Sequence, residues 1–157
     1  MMIPSTKPVN PSAIADQAAA YFSQGYSCSQ SVLLAFAPLV GLDPQTALLI
    51  ASPFGGGIAQ TGNNCGAVSG ALMVLGLCKG QTNPQDKETK AAMYALARKL
   101  MNQFEQEHQE ITCRGLLGFR LDVPEEAQCA REAGLFKTRC PLFVRTSARL
   151  AADILNQ

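Results

Sequence analysis

Between Pro8 and Cys78 the chain carries two charged side chains, Asp16 and Asp43, whereas residues 79–157 carry twelve Lys or Arg and ten Asp or Glu. A segment this poor in charge has little with which to build a solvated surface. It must be covered by the second half of the chain or by another subunit. A homodimer is therefore expected. The 157 residues suffice for one domain and one core, spanning 1–157 with an extended segment over 1–10. A net charge of +1 provides no field for a phosphate backbone or an anionic membrane, which argues against nucleic acid as a partner. The longest charge-free apolar stretch, CGAVSGALMVLGLC, is shorter than the roughly 20 residues of a spanning helix, so it reads as a core helix without membrane insertion. The start, MMIPSTKPVNPS, interrupts with prolines and polar residues where a secretory segment needs an apolar run, and a cytoplasmic protein is expected.

Alternating β-branched runs are almost absent, while Ala, Leu, Gln and Met dominate. The fold class is thus all-α, a single helical bundle of about six to eight helices. Pro11-Ser12 opens a helix that Gly25 ends, Ser27 caps CSQSVLLAFAPLV as far as Gly41, and Asp43-Pro44 starts QTALLIA. The loop SPFGGGIAQTGNN follows, with Asn63 or Asn64 capping the helix after it. Asn83-Pro84 begins the longest helix, whose stripe of Met93, Leu96, Ala97, Leu100, Met101 and Phe104 belongs in the core. Thr112 caps CRGLLGF, Asp122 with Pro124 starts PEEAQCAREAG, and Cys140-Pro141 opens the last helix.

The six cysteines separate into two kinds on this map. Cys28, Cys65, Cys113 and Cys140 stand at helix starts, where free amides and the positive helix end lower a thiol pKa from about 8.5 toward 7. Cys78, at a helix end, and Cys129, inside a helix, have no such support and read as buried hydrophobes. There is no C-x-x-C, so a zinc ribbon fails on spacing. Arg114 and Arg139 adjoin two of the four cysteines and would add positive potential. His108, the one histidine, reads as a dipole partner at a helix end, outside the catalytic set. Gly55, Gly56 and Gly57 permit close backbone approaches, and Gly66 keeps the next helix start narrow. These four glycines are the candidate cofactor-binding positions.

The strings GYSCSQSVL, GGGIAQTGNNCGAVSGALMVLG, TCRGLLG and RCPLFV together resemble the family of redox-active proteins named for the cysteine pattern C-GCAxxG-C-C. The chain departs from that pattern in having Asn64, not Gly, before Cys65. The resemblance implies a protein of about this size with four functional cysteines, and selenoprotein relatives would mark at least one position as a reactive chalcogen. Two readings follow. In the first, Cys65 attacks a disulfide or a small-molecule oxidant and Cys28, Cys113 or Cys140 resolves, the redox partner being undefined. In the second, the same four thiolates ligate an iron–sulfur cluster in an electron-transfer module, with a structural zinc site ranked third.

Overall fold

The computed structural model describes residues 7–157. Helices form at Pro11–Ser23 (α1), Cys28–Val40 (α2), Pro44–Ala51 (α3), Gly66–Lys79 (α4), Lys87–His108 (α5), Cys113–Leu117 (α6), Pro124–Glu132 (α7), Leu135–Thr138 (α8) and Cys140–Leu155 (α9). A 3-10 turn, Ser52–Phe54, continues α3. Among the described residues there is no strand, and extended pairing is confined to one antiparallel bridge, Asn64 with Thr112. The expected all-α single domain is what forms.

Capping explains most of the boundaries. The Asn10 side chain accepts from the amides of Ser12 and Ala13, Asp43 accepts from Thr46, and Ser27 forms a reciprocal capping box with Gln30. Two expected boundaries move, and a third keeps its start but not its cap. The cap of α4 is Cys65 itself, because the Asn64 side chain donates instead to Ser69 Oγ at 3.0 Å. Helix α5 begins at Lys87, after Asp86, whose side chain accepts from the Thr89 amide at 2.9 Å. Asn83 is used earlier, accepting from the Gln85 amide in a local turn. Helix α7 starts after Val123, Asp122 being held by Arg120. Helix α8, which has no sequence expectation behind it, follows Gly134 in the left-handed region at φ 68°.

Helix α4 lies at the centre, packed on α2, α5 and α9, while α1 covers α9 and α2. Its glycines set the closest crossing. A Cβ on Gly70 would stand 2.7 Å from Ser29 O and 3.1 Å from Val32 Cβ, and one on Gly66 would stand 3.3 Å from Cys28 Cβ. The narrow face expected at this helix start is therefore filled by α2. Val32, Leu33 and Phe36 of α2, Val68, Val74 and Leu75 of α4, and Val144 and Ala148 of α9 are fully buried between them. The α5 stripe joins this core through Met93, Leu100 and Phe104. The charge-rich half thus covers much of the charge-poor half, whose most exposed large apolar side chains are Leu49 and Ile50 of α3, at 68% and 50%.

The extended start is pinned to the C-terminus, since the Val9 amide donates to Asn156 Oδ1 and Asn156 Nδ2 donates to Val9 O. Residues 1–6 of that expected segment lie outside the described residues. Among the described residues no helix is long and apolar enough to cross a membrane.

Candidate functional site

Four helix starts meet at one cavity. Cys28 and Cys140 are the first residues of α2 and α9, Cys113 is the first of α6, and Cys65 caps α4. All four line a cavity of about 150 Å³, the size that accommodates a benzene-sized guest. The remaining wall is almost wholly apolar, built from Phe22, Leu116, Leu117, Leu121, Phe136 and Phe143 beside Ser27, Gly56 and Gly66. Cys65, Cys113 and Cys140 are buried and Cys28 is half-buried.

Backbone pairing holds Cys65 and Cys113 in place. The Cys65 amide donates to Ile111 O at 2.9 Å, the Cys113 amide to Asn63 O at 2.7 Å, and the Arg114 amide to Gly62 O at 3.1 Å. Glu110 fixes the other side of this junction, its Oε1 accepting from the amides of Ile111 and Thr112. Those bonds hold the Glu110 carboxyl below its ordinary pKa. The loop before Cys65 is unusual: Gly56, Gly57, Ile58, Ala59 and Gln60 all have positive φ, between 50° and 72°. This is a full left-handed turn, in which each non-glycine residue costs roughly 1–2 kcal/mol. Bonds from the Gly62 amide to Gly56 O and from the Asn63 amide to Gly57 O close it.

Burial overturns the expectation that all four thiols are acidic. At Cys65 the amides of Ala67 and Val68 favour the thiolate, as its place at a helix start predicts, but desolvation is larger and pushes the thiol up to about 11. Desolvation first, and then the neighbouring cysteines, push Cys113 up to about 12. Cys28 is raised as well, chiefly by its hydrogen bonding with Cys140. Cys140 alone is lowered. The Cys28 thiol is the largest cause, and the Arg139 guanidinium also acts downward. Arg139 thus has the expected effect, and it lies over the Phe143 ring at 5.7 Å. Arg114 does not figure among the influences on Cys113.

Of the four candidate glycines, Gly56 and Gly66 line the cavity, while Gly55 packs on Ser27 and Gly57 lies under Cys113. Cys78 and Cys129 do not line it. Cys78 is half-buried at the end of α4, and Cys129 is exposed on α7, contrary to the buried position expected of it. His108 ends α5 away from the thiols, its Nε2 2.9 Å from Thr146 Oγ1 and its ring against Phe104 and Phe143. Burial lowers its pKa, favouring the neutral ring. The aromatic and leucine wall was not read from the sequence, although Phe136 and Phe143 flank Cys140 at helical spacing.

Metal binding asks for closer grouping than this. Among the described residues no group of three or more His, Cys, Asp or Glu could hold a metal ion. As arranged, the four thiols do not form a site for a single metal ion.

The model of a family described as "putative redox-active protein (C_GCAxxG_C_C)" matches residues 26–154, a span that contains all four cavity cysteines. Among curated proteins and among solved structures, nothing matches the chain.

Proposed function

The chain belongs to the C_GCAxxG_C_C family of redox-active proteins, and we propose that it works by thiol–disulfide exchange, with Cys140 attacking and Cys28 resolving. The observation that carries this reading is the meeting of Cys28 and Cys140, the first residues of α2 and α9, on one cavity, where hydrogen bonding between the two sulfurs and the Arg139 guanidinium shift Cys140 downward and Cys28 upward. The Cys140 thiolate attacks one sulfur of a disulfide, forming a mixed disulfide and releasing the other sulfur as a thiolate. That thiolate takes the Cys28 proton. Cys28 then attacks Cys140, closing a Cys28–Cys140 disulfide and freeing the second substrate sulfur as a thiolate, which solvent protonates. Two electrons have passed from protein to substrate, and the reverse sequence returns them. Cys65 and Cys113 stay protonated at neutral pH and form a second dithiol in the same cavity, so the attacking role moves from Cys65 to Cys140. A homodimer formed through the apolar face of α3 would complete the cover of the charge-poor half.

Peptide mapping of protein oxidised by a small neutral disulfide tests the reading. A Cys28–Cys140 linkage, lost in Cys140→Ser and retained in Cys78→Ser and Cys129→Ser, is expected. Oxidation that joins any other pair first would overturn it.

A further inference from the structure

Three of the four sulfurs are buried and the cavity before them is small, so a disulfide carried on a folded protein cannot reach Cys140. The substrate must be slender. The cavity wall is also apolar, which excludes a charged group next to the reacting sulfur: disulfides with ammonium and carboxylate groups beside the bond would lose their hydration with nothing in return.

A second hollow, of about 670 Å³, adjoins it. It shares Phe22 and Phe136 with the cysteine cavity, and its other walls include Tyr26, two positions before Cys28, and Pro141, next to Cys140. It therefore flanks the same two cysteines that form the reactive pair. Its only charged walls are Lys137 and Arg145, and no acidic residue lines it. Arg145 shares its charge with Asp16 across an exposed ion pair, while Lys137 makes no ion pair among the described residues. Exposed pairs of this kind are weak and readily exchanged for a ligand's carboxylate.

Resting on the exchange reading above, we propose that the substrate is a small amphipathic disulfide: an uncharged dithiolane or similar end that enters between Phe22 and Phe136, a short apolar stem, and a carboxylate held in the second hollow by Lys137 and Arg145. The cyclic disulfide opens when the Cys140 thiolate attacks it. The Cys28 proton passes to the first sulfur released, and closure of Cys28 onto Cys140 then frees the second as a thiolate that solvent protonates, giving the dithiol with two electrons transferred.

Lipoate is the probe, and lipoamide its neutral control. Reduced protein is mixed with each without oxygen, and the disulfide form is mixed with each reduced counterpart, so that one direction runs whatever the relative potentials. Lipoate should react about tenfold faster than lipoamide at low ionic strength, with the advantage shrinking as salt is added. In Lys137→Gln/Arg145→Gln the lipoate rate should fall to the lipoamide rate, and an unchanged lipoamide rate shows that the variant is folded. Equal rates in the unaltered protein, or a double variant that slows both compounds alike, would overturn the proposal while leaving thiol exchange intact. If neither compound reacts at Cys28 and Cys140 in either direction, the exchange reading falls with it.

Discussion

Gly57 lies directly beneath Cys113: a methyl group on it would stand 2.7 Å from Cys113 Cβ and 2.5 Å from Asn63 O. With φ at +72°, the position also disfavours any side chain. Gly57→Ala should cost about 3 kcal/mol, from left-handed strain plus overpacking, and should displace Cys113 from the cavity. Urea denaturation measures the first effect. Gly76→Ala is the control, because nothing lies within 4 Å of a Cβ there and the substitution should stabilise α4 by up to about 1 kcal/mol.

Cys140 should be the first of the cavity thiols to be alkylated by iodoacetamide as pH is raised, since its pKa is lowered while those of the other three are raised. Removing the Cys28 thiol in Cys28→Ala takes away the largest cause of that lowering. The rate–pH profile of Cys140 should move to higher pH. A profile that stays in place would show that Cys28 does not set the acidity of Cys140.

Cys65 titrates at about 11 in the native protein and near 8.5 once unfolded. A raised native value contributes stability in full below the unfolded value, and that contribution is lost as pH climbs toward 11. The stability difference between the unaltered protein and Cys65→Ala, taken from urea midpoints at a series of pH values, should therefore shrink from pH 8 to pH 11. A difference constant with pH would mean that burial does not hold Cys65 in its thiol form.

Ile58 is a β-branched residue at φ 63° with its side chain 42% exposed, so strain is stored there without compensating burial. Ile58→Gly should raise stability by about 1 kcal/mol in thermal or urea unfolding. A loss of stability would show that the Ile58 side chain contributes more than its backbone strain costs.

Sedimentation at micromolar concentration should show a dimer, and Leu49→Lys/Ile50→Lys should convert it to a folded monomer, since these two side chains leave α3 exposed and apolar. A monomer before any substitution would rule out this face as an interface between copies.

The helices were legible because their signals are local. Ser27, Asp43 and Thr112 cap from within the next few residues, and the α5 stripe repeats at helical spacing. Where a side chain had a competing local bond, the reading slipped by a few positions, as at Asn64 and Asn83. The left-handed turn over residues 56–60 was signalled only at its two glycines. Ile58, Ala59 and Gln60 adopt it because bonds to more distant residues, such as that from the Asp122 amide to Gln60 O, over-determine the backbone.

By itself the sequence determined the fold class, the family, and the placing of Cys28, Cys65, Cys113 and Cys140 at helix starts, because capping, helical periodicity and motif spacing are properties of neighbouring residues. Only the tertiary structure decided which of those thiols is shifted toward the charged form and which away from it. A helix start lowers a thiol pKa over one turn, whereas desolvation depends on every group packed around the sulfur, and at Cys65 and Cys113 desolvation outweighs it. Cys140 escapes because α2 and α9, from opposite ends of the chain, bring the Cys28 thiol to its sulfur.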